Sequence, residues 1–412
     1  MRFVINDQVV LSREPDGPIA SYIGAFAKSR SALGYAPYSI HRQVLLAACF
    51  SRWLKQTGVT LRHIRSDHPS QYLRYRAQRL RPIAGDTAAL KHLIDFLRGE
   101  GLIAAEKIAA RTLTPVECCA QAYTQYLREV RALSRAAVVN YVPLICGFLK
   151  DRFGNGPVML SRLSACDVVG FVRRQVPHLH LKRAKLLTTA LRSFLRYARY
   201  CGEVTLDLAA AVPIVANWSM PSIPRAIGSD QVRQLLASID RSTASGRRDY
   251  AIVLLLARLG LRSGEVAFLE LDDINWDAGQ VSVRGKRGQR TALPLPIDVG
   301  KAIAAYLKHG RPRSTSRRVF LRSKAPIRGF LSQCAIGSII RHALQRAGIQ
   351  APTTGAHQFR HGLATHMLCN GASLTEIGEV LRHCSPQTTT IYAKVDLKAL
   401  RTLALPWPGG AR

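Results

Sequence analysis

The sequence predicts a mainly α-helical protein in which two similar helical units precede a mixed α+β domain with a small antiparallel sheet. Three observations carry that prediction. Apolar residues recur at helical spacing through the first half of the chain, and several return 98 residues later: Phe50 with Phe148, Leu93 with Leu191, Phe96 with Phe194. Residues 213–228 hold three prolines and no sustained periodicity, as a linker does. Beyond them, one stretch alternates apolar and polar residues on both sides of a Gly-Lys-Arg-Gly turn, the pattern of a β-hairpin.

The first unit spans 1–108. Its helical pattern over residues 22–56 ends in Phe50-Ser51-Arg52-Trp53-Leu54-Lys55. The second spans 112–212, and its pattern over 121–150 ends in Gly147-Phe148-Leu149-Lys150. Leu61 and Ile64 match Leu160 and Leu163 at an offset of 99. Apolar positions repeated at one offset read as a tandem duplication. The third unit, 229–395, follows the linker. Ser229-Asp230 is expected to cap a helix beginning at Gln231, and a very apolar helix runs from Tyr250 to Leu259, where Gly260 stops it. Val281 and Val283 then face one way, residues 285–288 reverse the chain, and Thr291, Leu293 and Leu295 alternate back. Further helices are expected at about 298–308, 332–347, 357–369, 374–382 and 386–393. The tail, 396–412, is amphipathic, with Leu397, Leu400 and Leu403 on one face.

Charge narrows the partner. The 412 residues carry 59 Lys+Arg against 26 Asp+Glu, a net +33. Such a surplus suits a polyanion, because each neutralised phosphate releases a counterion. Residues Met1 to Val10 lack the apolar core of a signal peptide, and no stretch of 18 apolar residues occurs, so a membrane partner is not expected. Nucleic acid leads. Basic residues interleave the apolar positions in both helical units, among them Arg74, Arg76, Arg79 and Arg81, then Arg173, Arg174, Lys182, Arg183 and Lys185, as on a DNA-facing surface. Nine cysteines include the adjacent Cys118-Cys119 and no C-x-x-C pair, which suits neither a disulfide framework nor a zinc site. They read as small core residues in a reducing cytosol.

The chemistry gathers in the third unit. His357 and Arg360 lie i,i+3 on one helix face, and His357 and His361 lie i,i+4. A zinc-protease helix has that second spacing, but Gln358 stands where its catalytic glutamate belongs. An imidazole beside a cation that keeps its charge suits a phosphodiester better. Elsewhere, Arg262 follows the apolar helix with Glu265 close enough to orient it. Lys286 tips the hairpin, His383 ends a helix, and Tyr392 follows the run Thr388-Thr389-Thr390.

Arg262, Lys286, the His357-x-x-Arg360 pair, His383 and Tyr392 resemble, in order and context, the active-site set of the tyrosine recombinase (phage integrase) family. The text "GLRSGEV" at 260–266, "HQFRHGLATHML" at 357–368 and "LRHCSPQTTTIYAKV" at 381–395 is similar to the family's. So are the intervals of 24 residues from Arg262 to Lys286, 23 from Arg360 to His383 and 9 from His383 to Tyr392. The match is strong over 225–395, and residues 112–212 resemble the family's core-binding domain more diffusely. The resemblance implies SAM-like helical DNA-binding domains, here two where most members have one, then a tyrosine-recombinase catalytic domain. One position departs: most relatives have Gly before the second histidine, where this chain has Arg382.

The implied activity is site-specific breakage and rejoining of double-stranded DNA through a 3′-phosphotyrosine, as in a mobile element. Arg262 and Arg360 would hold the charge that builds on the equatorial oxygens, and Tyr392 would attack. A phenol of pKa about 10 needs help to ionise. His357 is the expected base or proton relay, His383 a hydrogen-bond donor to the phosphate, and Lys286 the acid for the leaving 5′ oxygen. No metal and no cofactor are expected, since cations already surround the phosphate and the covalent ester conserves the bond for rejoining. A homo-tetramer on two DNA segments is expected, with sister recombinases as further partners and the tail exchanged between protomers. Two rival readings are a type IB topoisomerase-like nicking-closing enzyme and a DNA-binding protein with a dead site. The short intervals and the exchangeable tail disfavour the first, and the intact Tyr392, Arg262 and Arg360 disfavour the second.

Overall fold

The computed structural model describes residues 13–104, 112–215, 224–285, 290–383 and 385–395, with the backbone of two short paired strands, β1 (Phe3–Ile5) and β2 (Val9–Leu11). The chain forms two compact units, residues 107–220 and residues 1–106 together with 221–412. The larger unit opens with four helices, α1 (Ile23–Ala32), α2 (Pro37–Gln56), α3 (His68–Ala77) and α4 (Asp86–Gly99). They enclose Phe26, Phe50, Leu54, Leu90, Leu93 and Leu97. The smaller unit also has four, α5 (Pro115–Glu129), α6 (Arg135–Phe153), α7 (Ala165–Gln175) and α8 (Leu181–Tyr200). Thr114 with Glu117, and Ser164 with Asp167, form reciprocal capping boxes that start α5 and α7.

The positions repeated in sequence occupy matching places in the two four-helix sets. Phe50 and Phe148 are buried late in the second helix of each set, and Leu93 and Leu191 on the fourth. Leu61/Ile64 and Leu160/Leu163 bracket short 3-10 turns at Leu61–His63 and Leu160–Arg162. The first set also touches the C-terminal part of its own unit. Ile327 N donates to Leu33 O at 2.9 Å, and a Cβ on Gly34 would stand 2.4 Å from the Ile327 side chain. That close approach requires glycine there.

The rest of the larger unit is built around a buried helix. Helix α9 (Ser229–Ser238) begins two residues before the expected Gln231, with Gly228 at its cap, whose N donates to Gln231 Oε1 at 3.2 Å. Helix α10 (Ala244–Leu259) buries Ala251, Ile252, Val253, Leu254, Leu255 and Leu256 in succession, so it presents an apolar surface all round and is packed on every side. Short α11 (Ser263–Ala267) leads to an antiparallel sheet in the order β3 (Ile274–Asn275), β4 (Gln280–Arg284), β5 (Arg290–Pro294). The expected hairpin is β4–β5, with Val283 opposite Thr291 and Val281 opposite Leu293. Strand β3 was not anticipated, because two residues are too few for alternation to register. Helices α12 (Ile297–His309), α13 (Cys334–Arg346), α14 (His357–Cys369) and α15 (Leu374–Val380) follow.

Two expectations are corrected. The helix expected over 386–393 is a pair of 3-10 turns, Pro386–Thr388 and Thr390–Val395. A proline and three consecutive β-branched threonines disfavour a continuous α-helix there. Nor are most of the cysteines core residues: Cys49, Cys118, Cys166, Cys201, Cys334 and Cys369 are exposed, while Cys119 and Cys146 are half-buried against the core of the smaller unit. Cys384 lies outside the described residues, as does the expected exchange tail from 396 onward. Among the described residues no helix is long and apolar enough to cross a membrane.

Candidate active site

The end of α10 sets the first wall. Gly260 takes a left-handed backbone, φ +56°, and a Cβ there would stand 2.9 Å from Leu381 and 3.0 Å from Leu363. The turn frees the Gly260 carbonyl, which accepts from Arg360 Nη1 at 2.7 Å, while Arg360 Nη2 donates to Leu381 O. Arg360 is therefore clamped by two main-chain carbonyls and is only 1% exposed. Two residues past Gly260, Arg262 donates through Nη1 to Glu265 Oε1 at 2.8 Å, and its own N–H donates to Glu265 Oε2 at 2.8 Å.

Glu265 holds a second arginine. Arg382 Nη2 donates to Glu265 Oε2 at 2.9 Å, and Arg262 Nη2 donates to Arg382 O at 3.3 Å. Arg382 has φ +55°, in the left-handed region that favours glycine. The same backbone terminates α15 at Val380, short of the expected 382. So the departure noted in the sequence brings a buried cation to the site on an intrinsically unfavourable backbone, with its Nε left without a partner among the described residues.

Helix α14 supplies the imidazoles. Its first residue, His357, meets His361 edge-to-face one turn on, with ring centroids 4.4 Å apart. His361 Nδ1 lies 3.0 Å from Tyr392 Oη. The phenol sits in the Thr390–Val395 turn and is 1% exposed. His383 Nδ1 shares a hydrogen bond with Thr389 Oγ1 at 2.7 Å, tying this imidazole to the turn that carries the tyrosine. Arg262, His357, Arg360, His361, Arg382, His383 and Tyr392 line one cavity of about 280 Å³, with Gly285 and Thr291 of the hairpin on its rim.

Electrostatics in this cavity are one-sided. Among the described residues, three arginines face it and Glu265 is the one carboxylate paired with them. Burial, then the Arg262 and Arg382 charges, push Arg360 down to about 10. Burial, then neighbouring cations, push His361 and His383 each down to about 4, and move His357 down as well. All three imidazoles are thus neutral at pH 7. Burial raises the Tyr392 phenol while Arg360 pulls it down. Buried cations in excess are costly, and a bound anion relieves them. The excess charge in this cavity is positive.

Five of the six residues singled out in the sequence, Arg262, His357, Arg360, His383 and Tyr392, share this cavity. Lys286 lies outside the described residues, though its neighbour Gly285 lines the rim. Sequence reasoning missed His361, which it weighed only as half of a zinc pair. The signal was available, since one turn of helix separates His361 from His357 on the same face. Among the described residues no group of His, Cys, Asp and Glu is arranged to hold a metal.

Residues 225–398 match the phage integrase family. The chain belongs to this family, the tyrosine recombinases, and is a recombinase/integrase enzyme of that type. Over its whole length it is 58% identical to "Putative integrase/recombinase y4rA" of Sinorhizobium fredii (strain NBRC 101917 / NGR234), all 412 residues being aligned and all of that protein covered. It is 31% identical over 308 residues to tyrosine recombinase XerD of Mycobacterium tuberculosis (strain CDC 1551 / Oshkosh), covering 70% of this chain and 96% of XerD. The fold is similar to the crystal structure of XerH site-specific recombinase in a post-cleavage complex with palindromic difH substrate. That match has a TM-score of 0.56 at 18% identity and covers 82% of this chain and 94% of XerH. A lambda integrase dimer bound to a COC′ core site gives a TM-score of 0.51 at 15% identity, over 79% of this chain and 89% of that one.

Proposed function

We propose that this recombinase cuts and rejoins double-stranded DNA at specific sites through a covalent 3′-phosphotyrosine on Tyr392, as the enzyme of a mobile element. One observation carries the reading: a buried phenol lines a cavity where, among the described residues, three arginines and three imidazoles gather and Glu265 is the one carboxylate paired with those arginines. Arg262 and Arg360 hold the non-bridging oxygens as negative charge grows on them, each contact contributing about 3 kcal/mol in a site that excludes water. His383 donates to the same phosphate, and His357 stands one imidazole behind the phenol as a proton relay. Lys286, from the hairpin, protonates the leaving 5′ oxygen. The helical sets 1–108 and 112–212 grip the duplex through their basic faces, and 229–395 carries out the chemistry. XerH is described bound to its palindromic difH substrate, and lambda integrase as a dimer on a COC′ core site and as a tetramer on a Holliday junction. We extend both features to this chain, which then acts on DNA in the bacterial cytoplasm as four protomers, with the tail from 396 exchanged between them.

Strand exchange tests the reading. Wild type should join two differently labelled duplexes that carry its site, and Tyr392→Phe should join none. A wild type that relaxes supercoiled DNA yet never exchanges strands between duplexes belongs with nicking-closing enzymes instead.

A further inference from the structure

The phenol's proton needs a destination, and the geometry supplies one that the sequence did not single out. Among the described residues, the hydrogen-bond partner of Tyr392 Oη is His361 Nδ1 at 3.0 Å, with the two rings 5.7 Å apart and tilted by 61°. His357 instead presents its ring to His361. Resting on the recombinase reading above, we propose that His361 takes the Tyr392 proton during DNA cleavage and returns it during rejoining.

Burial makes a fixed acceptor necessary. Tyr392 is 1% exposed, so bulk water does not reach the phenol in this arrangement. With its own proton on Nε2, His361 offers the Nδ1 lone pair along the observed bond. The groups around the pair are His357 and Arg360 on the same helix, Arg262, Arg382 and His383 on the other cavity walls, and Lys394 on the tyrosine's own turn. Burial first, then His357 and Arg360, push His361 down to about 4, which keeps it unprotonated and a weak base while no phosphate is bound. A phosphodiester brings one negative charge beside Arg360, whose charge helps depress His361, and its basicity rises. The base is therefore strengthened by its own substrate, and an ionised tyrosine does not form without DNA.

The step balances. The Tyr392 O–H bond breaks as its proton passes to Nδ1, the phenolate oxygen bonds phosphorus, and the bond from phosphorus to the 5′ oxygen breaks. That oxygen takes a proton from Lys286. On rejoining, the 5′ hydroxyl attacks phosphorus, Lys286 recovers its proton, and imidazolium His361 reprotonates the departing phenolate. No redox change and no further reactant are involved.

The experiment uses full-length protein and a nicked duplex recovered from a randomised pool through its SDS-resistant adduct with wild type. His361→Gln should bind this duplex within twofold of wild type and form the adduct about 10²–10⁴-fold more slowly. A sulfur in place of the leaving 5′ oxygen needs no acid, so this substrate should rescue Lys286→Ala and leave His361→Gln slow. Fluorinated tyrosine at position 392, a stronger acid, should speed His361→Gln and leave wild type nearly unchanged. If His361→Gln fails to bind, His361→Asn is measured instead. Adduct formation by either binding-competent variant within threefold of wild type overturns the proposal, as does rescue of His361→Gln by the sulfur substrate. A wild type that yields no adduct from any pool member sinks the recombinase reading itself, a distinct failure.

Discussion

The helical unit 107–220 and the Tyr392 cavity bury polar groups on opposite principles. In the helical unit, Leu149, Leu191, Phe194 and Ala198 fill the centre, while Arg173, Arg174, Lys182 and Arg183 stay in water. Its part-buried polar contacts are modest, among them Tyr123 Oη with Ser193 Oγ at 2.9 Å and Arg192 Nη2 donating to Val212 O at 2.8 Å. In the cavity, Arg360 is among the largest fully buried side chains of the molecule, and Glu265 and Arg382 are nearly as enclosed. A packed scaffold lowers its free energy by separating charge from core. A phosphate-handling site raises it locally by desolvating cations, then recovers the difference when the anion binds.

Truncating each centre separates the two most sharply. Arg360→Ala should reduce adduct formation by about 10³-fold or more, because it removes both a transition-state contact and the group that clamps Gly260 and Leu381. Phe194→Ala should cost about 3–5 kcal/mol of stability in urea unfolding. The chemical rate on DNA already bound should stay within a few-fold. A comparable rate loss in both variants would erase the distinction.

The Glu265 pairing gives the next effect. Glu265→Ala strands two cations and should destabilise the protein by about 3 kcal/mol. Arg382→Gly should be milder, since relief of about 1 kcal/mol of left-handed strain offsets part of the lost pair. The double variant should be more stable than Glu265→Ala alone. Additive losses would mean the two residues do not act through one another.

Acid supplies the smallest effect. His361 and His383 have folded pKa values near 4, below the unfolded value of about 6.5. The unfolded chain therefore binds more protons, and stability is fully present above about pH 6.5 and falls as pH drops toward 4. Thermal melting between about pH 7 and pH 5 should show that slope, and His383→Gln should flatten it. Bound DNA should flatten it too, because phosphate raises both imidazoles. Helical-unit variants such as Phe194→Ala should leave the slope unchanged.

These contrasts also explain what the sequence made legible. Periodicity located α10, α12 and α14 within a residue or a few at their C-terminal ends, because apolar spacing and burial coincide there. Order and spacing singled out Arg262, Arg360 and Tyr392, which the fold brings to one cavity although 130 residues separate the first from the last. Hidden features depended on backbone geometry. Nothing in the letters places Arg382 at φ +55°, and the one-turn spacing that puts His357 and His361 on one face does not say which of them meets the phenol. The exposed cysteines were misread for a related reason: small size suits a core but does not put a residue in one.

Joining Tyr392 to a DNA phosphate is the role proposed for the cavity. Protease digestion of the SDS-resistant adduct, followed by mass spectrometry of the nucleotide-bearing peptide, tests it most directly. The account predicts a 3′-linked nucleotide on Tyr392 and no adduct from Tyr392→Phe. A nucleotide on any other residue, or an adduct that survives in Tyr392→Phe, would contradict it.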